Sequence, residues 1–167
     1  MISTPLPTAF RKLGLSQLGI LVPDLQEAIN SYGSVLPLDQ WLIYTYSRET
    51  VEDLSYRGEP STAKFRLALA GANPQIELIQ PIDGPSIYHD WVDAHGYGLQ
   101  HLGFHVASLA PVVETLAGQG WHPVQTGSGY GLDGDGAFAY YDTVAELGLM
   151  LEVIEVPARR RPSETLN

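Results

Sequence analysis

The stretch Gln100-His101-Leu102-Gly103-Phe104-His105-Val106 has an earlier counterpart in the same chain, Gln17-Leu18-Gly19-Ile20-Leu21-Val22. The two align without a gap, Gln17 on His101, Leu18 on Leu102, Gly19 on Gly103, Ile20 on Phe104 and Val22 on Val106. The match runs on through Leu25 on Leu109 and Ile29 on Val113. A second pair repeats as well, Ile76-Glu77-Leu78-Ile79 and Leu151-Glu152-Val153-Ile154. Each half thus begins on a strand with a polar residue and ends on one with a glutamate among apolar neighbours. A duplication of this kind brings four polar side chains to a pseudo-twofold axis.

Working outward, the elements repeat too. Val22-Pro23-Asp24 ends the first strand, and Asp24 with Glu27 makes a capping-box-like helix start. Leu25, Ala28, Ile29 and Tyr32 follow at i, i+3, i+4 and i+7, as do Leu109, Val112, Val113 and Leu116 after Ser108. Strands are expected at 41–47, 64–70 and 75–80 in the first half and at 121–126, 137–142 and 147–156 in the second. Each half reads as strand, helix, three strands. The fold class is α+β, with two βαβββ modules forming a shared open barrel or cleft and helices outside. Residues 1–14 read as an arm and 15–157 as one domain, with module one at 15–81, a linker at 82–97 and module two at 98–157. The linker carries a short helix, 86–95, with Ile87 and Trp91 on its apolar face. Residues 48–62 read as a loop, the five glycines of 127–136 as a mobile lid, and 158–167 as a disordered tail.

Composition narrows the function. The chain has 167 residues, 44% of them hydrophobic, enough for a core. It has no cysteine, which removes disulfides, thiolate metal sites and a cysteine nucleophile. A formal net charge of −10 argues against a nucleic-acid partner. No signal-peptide pattern and no membrane-length apolar run is present, so no membrane partner is expected and the cytoplasm is the expected compartment. G-x-S-x-G and the phosphate-loop pattern are both missing.

Strand alternation places Leu18, Ile20 and Val22 on one face with Leu102, Phe104 and Val106, toward the helices. Gln17, Gly19, His101, Gly103 and His105 then face the cleft, where the glycines are expected to leave room for a bound molecule. Glu77 and Glu152 lie in runs that are apolar on both faces. A buried carboxylate must be paired, protonated or bound to a cation. No Lys or Arg occurs between Arg66 and Arg159 to pair with them. A single strand histidine or glutamate would mean little. The symmetry-matched placement of all four points to a divalent ion with N/O ligands, Mn, Co, Ni or Zn, on Gln17, Glu77, His101 and Glu152. His105 shares the His101 face further along the strand, where it touches substrate or backs the site.

These residues resemble the vicinal oxygen chelate superfamily, which includes glyoxalase I, methylmalonyl-CoA epimerase, extradiol dioxygenases and bleomycin-resistance proteins. The resemblance spans about residues 15–157 and is carried by 17–25, 76–81, 98–106 and 151–155. The segment Ser86-Ile87-Tyr88 to Gly98 looks most like the epimerase-type members. The family's four ligands fall on Gln17, Glu77, His101 and Glu152. Gln17 stands where the epimerases usually have histidine, although some glyoxalases use glutamine there. The resemblance implies a glyoxalase- or epimerase-like enzyme, an isomerase or lyase. Such an enzyme chelates two neighbouring oxygens of a small substrate and moves a proton through a metal-stabilised enolate. Glu152 or Glu77 would serve as ligand and base, with His105 and Tyr140 against the substrate. For the acidic residue these enzymes carry on the third strand of the first half, Glu59 is the nearest match. Ring-cleaving iron chemistry needs two histidines and one carboxylate, and only His101 stands at a ligand position. The alternative is a non-catalytic binder of the bleomycin-resistance type. The acidic charge and the aromatics Trp41, Tyr44, Tyr46, Tyr140 and Tyr141 suit that reading. Family habit and the aromatic strands point to a homodimer.

Overall fold

A computed structural model describes residues 5–167. Its strands are β1 (Gln17–Leu21), β2 (Trp41–Tyr46), β3 (Asp53–Tyr56), β4 (Glu59–Pro60), β5 (Lys64–Ala70), β6 (Gln75–Asp83), β7 (Gly98–Val106), β8 (Gln125–Tyr130), β9 (Gly136–Tyr141), β10 (Met150–Glu155) and β11 (Glu164–Leu166). Its α-helices are α1 (Leu25–Val35), α2 (Ile87–His95), α3 (Leu109–Gly118) and α4 (Val144–Leu147), and a 3-10 turn covers Thr8–Lys12. The strands form one sheet in the order β11-β2-β5-β6-β1-β7-β10-β9-β8-β3-β4.

The duplication is visible in that order. In the first half β1 runs parallel to β6, and β5 and β2 follow antiparallel. In the second, β7 runs parallel to β10, and β9 and β8 follow antiparallel. The halves meet where β1 pairs antiparallel with β7. This is the expected α+β architecture, a curled open sheet with helices on its outer face. The outer face is buried by the periodic helix positions. Val22, Leu25 and Ile29 pack with Ile43, Ala68 and Leu78 under α1, and Leu116 packs with Phe104, Tyr141 and Val153 under α3.

The helix starts repeat as well. Asp24 Oδ1 accepts from Glu27 N at 2.8 Å, a cap of about 1 kcal/mol. Gln80 Oε1, from the end of β6, accepts from Leu25 N at 3.1 Å. Its counterpart at the end of β10, Glu155 Oε2, accepts from Leu109 N at 2.7 Å. Ser108 makes no side-chain cap there; the residue matching Glu27 is Pro111, which has no N–H to donate.

Four expectations are corrected. Residues 48–62 hold the β3–β4 hairpin, and β3 pairs with β8 of the other half. Residues 127–136 are not one loop: β8 runs through Gly127 and Gly129 to Tyr130 and β9 begins at Gly136, which leaves a turn at 131–135. The glycines there make space for rings. A Cβ on Gly127 would meet Phe138 at 2.4 Å, and one on Gly136 would meet Tyr130 at 2.4 Å. The tail is ordered, with β11 paired on β2 and Ser163 N bonded to Ile43 O. The described part of the arm is likewise packed, with Phe10 buried edge-on against Phe104. The apolar face expected for α2, with Ile87 and Trp91, is buried. Its Ile87, Tyr88 and Trp91 enter the inner core with Tyr44, Phe65 and Tyr140. Among the described residues no helix is long and apolar enough to cross a membrane.

Candidate metal centre

Glu77 of β6, His101 of β7 and Glu152 of β10 converge on the inner face, at the junction of the halves. His101 Nε2 lies 3.1 Å from Glu77 Oε2 and 3.0 Å from Glu152 Oε2. One donor atom from each of the three lies within 4.8 Å of the others. His101 is 0% exposed, Glu152 4% and Glu77 6%. Neither contact at Nε2 has hydrogen-bond geometry, so Nε2 and both Oε2 atoms are buried without a partner. Gln17 Nε2 donates to Gln75 Oε1 at 3.3 Å, and Gln17 Oε1 is also buried and unpartnered. Gln17, Glu77 and Glu152 line one cavity of about 30 Å³. That is room for an ion and a water or two.

The local structure explains how these groups come together. Across the β1–β7 pair, Gly19 stands opposite His101 and Gly103 opposite Gln17. The glycines were expected to leave space for a ligand. Instead each houses the functional side chain of the other half. A Cβ on Gly19 would lie 1.8 Å from His101 Cε1, and one on Gly103 would lie 2.8 Å from Gln17 Oε1.

The pairing then slips. Gly19 faces His101, but Ile20 faces Leu99, which leaves Gln100 as the extra residue of a β-bulge. Simple alternation would send Gln100 and His101 to opposite faces. Here Gln100 Oε1 lies 2.7 Å from His101 Nδ1, and Gln100 Nε2 donates to Met150 Sδ at 3.1 Å. An amide oxygen on Nδ1 makes that nitrogen the N–H and leaves the Nε2 lone pair facing the two carboxylates. An outer contact of this kind is what fixes the tautomer of a histidine that ligates a metal. Sequence reasoning missed Gln100, because a bulge has no signature in hydrophobic alternation.

The donor set fits a divalent first-row ion. Cis ligands held about 2.1 Å from such an ion lie about 3 Å apart, as the nitrogen and oxygens do here. Without a cation the cluster is strained electrostatically. Burial pushes the Glu152 carboxyl up to about 7, even though His101 and the Tyr140 hydroxyl draw it down. Burial lowers His101, but the negative charges of Glu152 and then Glu77 beside it outweigh that and carry the imidazole up to about 9.

The remaining sequence candidates are placed as follows. His105 lines the same cavity, and burial followed by the charge of Arg160 holds it below its ordinary range. Tyr140 also lines it, accepting from Tyr88 OH at 3.1 Å and standing edge-on to His101 at 5.0 Å. Tyr88 was not singled out from the sequence. Glu59 is not brought to the site; it lies exposed on the outermost strand, β4. Of the aromatics, Tyr46 and Tyr140 line the cavity, Tyr44 faces a larger cavity beside it, and Trp41 and Tyr141 pack outward under the helices.

A fold of paired modules meeting over such a centre defines a class. Residues 16–141 match the family model of the Glyoxalase/Bleomycin resistance protein/Dioxygenase superfamily, and the chain belongs to that family. Among solved structures it is similar to methylmalonyl-CoA epimerase from Mycobacterium tuberculosis. That likeness has 25% identity and a TM-score of 0.62, over 86% of this chain and 89% of that one. It shares the fold of a methylmalonyl-CoA epimerase solved with methylmalonyl-CoA and NH4+, at 17% identity and TM-score 0.63, over 90% and 99% of the two chains. A hypothetical protein of Bacillus halodurans C-125 has the same fold at 18% identity and TM-score 0.63, over 88% and 96%. No curated protein sequence matches the chain.

Proposed function

We propose that the protein is a metal-dependent enzyme of the epimerase type, which moves a proton on the carbon beside a carbonyl of a small acyl substrate. The observation that carries this reading is the set of four buried, unpartnered donor atoms on Gln17, Glu77, His101 and Glu152. Burying two carboxylates costs several kcal/mol per ion. A protein that only binds a ligand on aromatic surfaces has no use for that cost. The bound ion would supply Lewis-acid polarisation of two neighbouring substrate oxygens.

The chain's own residues do the rest. Gln100 holds the His101 lone pair toward the centre. Gln75 orients Gln17 so that its carbonyl oxygen faces the cavity. Glu152 is the carboxylate we assign to exchange a proton with the substrate carbon. Glu77 is the second carboxylate in reach. His105 and Tyr140 contact the substrate from the cavity wall. Glyoxalase-type rearrangement is a variant of the same proton transfer through a metal-stabilised enolate. The resemblance of residues 86–98, together with the epimerase of 25% identity, favours epimerisation. The family resemblance and the aromatic strands suggest a homodimer as the working unit.

The test is hydrogen exchange at carbon. The protein loaded with Co²⁺ is incubated with methylmalonyl-CoA in D₂O, and deuterium at the substrate α-carbon is followed by NMR. Exchange that depends on Co²⁺ and is lost in Glu152→Gln supports the reading. A loaded protein that exchanges no faster than buffer removes it for this substrate class.

A further inference from the structure

The tail bears on the same centre. Arg159-Arg160-Arg161 is held between two anchors, one on each half of the sheet. On the second half, Leu132 N donates to Arg159 O at 2.9 Å, and Ala158 N donates to Asp135 Oδ2 at 3.0 Å. On the first, Ser163 N donates to Ile43 O at 2.7 Å and β11 pairs with β2. Residues 158–163 therefore bridge from the β8–β9 turn to strand β2.

Arg160 lines two cavities. One is the cavity of about 30 Å³ at Gln17, Glu77 and Glu152. The other is larger, about 590 Å³, and is also lined by Arg48, Arg161, Glu49 and Glu52. Tyr46, Tyr130 and Pro157 are common to both. The half-buried Arg160 thus stands where the outer chamber narrows to the metal centre.

Most nearby arginines have partners, and Arg161, which has none among the described residues, lines the outer cavity alone. Arg159 pairs with Asp133, Arg57 with Asp90, Arg66 with Glu164, and Arg48 Nε donates to Ser61 O at 2.9 Å. Among the described residues the Arg160 guanidinium has no ion pair and no side-chain hydrogen bond. Charge completes the argument. A divalent ion balances Glu77 and Glu152 while Gln17 and a neutral His101 add nothing, so Arg160 leaves the loaded site with one positive charge. A planar fork of donors suits a carboxylate.

We propose that Arg160 is a specificity-determining residue that pairs with a carboxylate on the substrate, so that the site selects monoanionic acyl compounds over neutral ones. This rests on the metal-dependent reading above. It adds that the charge of the substrate is read from the tail rather than from either βαβββ module.

The test is calorimetric titration of the Co²⁺-loaded protein with monoethyl malonate and diethyl malonate, which differ by one carboxylate. Wild type is expected to bind the monoester at least ten times more tightly than the diester. Arg160→Gln is expected to lose that preference while its Co²⁺ affinity stays within twofold of wild type. Arg161→Gln, which removes a charge from the outer chamber alone, is expected to keep it. Equal affinities for the two esters in wild type, or an unchanged preference in Arg160→Gln, would overturn the proposal while leaving the metal centre in place. Failure of wild type to bind Co²⁺ at all would instead remove the proposed function, and this inference with it.

Discussion

Gly19 and His101 face each other across the β1–β7 pair so closely that a methyl group on the glycine would lie 1.8 Å from the imidazole Cε1. The same relation, turned by the pseudo-twofold axis, holds between Gly103 and Gln17. The repeated glycines of the two halves therefore seat the His101 and Gln17 side chains rather than leaving open space.

Gly19→Ala tests this seat. Its methyl group forces the imidazole off its rotamer, in a core with no slack, at a cost of about 1–3 kcal/mol. Denaturant unfolding should show that loss, and metal titration should show affinity reduced at least tenfold. Gly14→Ala, at a position where a Cβ would meet nothing within 4 Å, serves as the control. Equal metal affinity in wild type and Gly19→Ala would mean that His101 is not a ligand.

Gln100→Ala separates orientation from ligation. Losing the acceptor on His101 Nδ1 should weaken metal binding about 10–100-fold, as removal of such outer contacts does. Gln100→Glu keeps an acceptor on Nδ1 and should retain most of the affinity. Titration with Co²⁺, read by its visible absorption, distinguishes the three proteins. Identical spectra and affinities in all three would show that Nδ1 needs no partner here.

Most of the fold was legible because it rests on periodicity. The strand–helix–strand repeat, the cap at Asp24 and the faces of α1 and α3 all follow from spacing alone. The four central polar residues could be singled out because duplication placed them in matching registers. What stayed hidden depends on contacts distant in sequence. Gln100 turns toward His101 only because β1 and β7 slip by one residue. Gly127 and Gly136 resemble lid glycines until Phe138 and Tyr130 are seen to occupy the space. A tail rich in arginine and proline reads as disordered because its order comes from Ile43, Asp133 and Asp135, far away in the chain.

The pH dependence of the metal-free protein follows from the same cluster. His101 is raised from 6.5 to about 9, so its contribution to stability is complete below 6.5 and is lost as pH rises through 9. Glu152 is raised from 4.5 to about 7, so its contribution too falls as pH rises, between those values. Metal-free wild type should therefore lose stability relative to His101→Gln between about pH 6 and 9. Metal binding has the opposite sign, because it needs a neutral imidazole and ionised carboxylates, so the stabilisation by Co²⁺ should grow over that range. Chemical unfolding at several pH values, with and without Co²⁺, reads both slopes. Parallel slopes in wild type and His101→Gln would contradict the account.

The central claim is that Gln17, Glu77, His101 and Glu152 hold one divalent ion, and thermal unfolding with and without Co²⁺ tests it most directly. An ion that binds only the folded state at 100 times its Kd adds about 2.7 kcal/mol of stability. Wild type should show a clear Co²⁺-dependent rise in Tm. Glu152→Gln and His101→Ala should show none, and Gln17→His, which supplies an imidazole in place of an amide oxygen, should show a larger one. A wild-type Tm that does not respond to Mn²⁺, Co²⁺, Ni²⁺ or Zn²⁺, or a rise of equal size in Glu152→Gln, would contradict it.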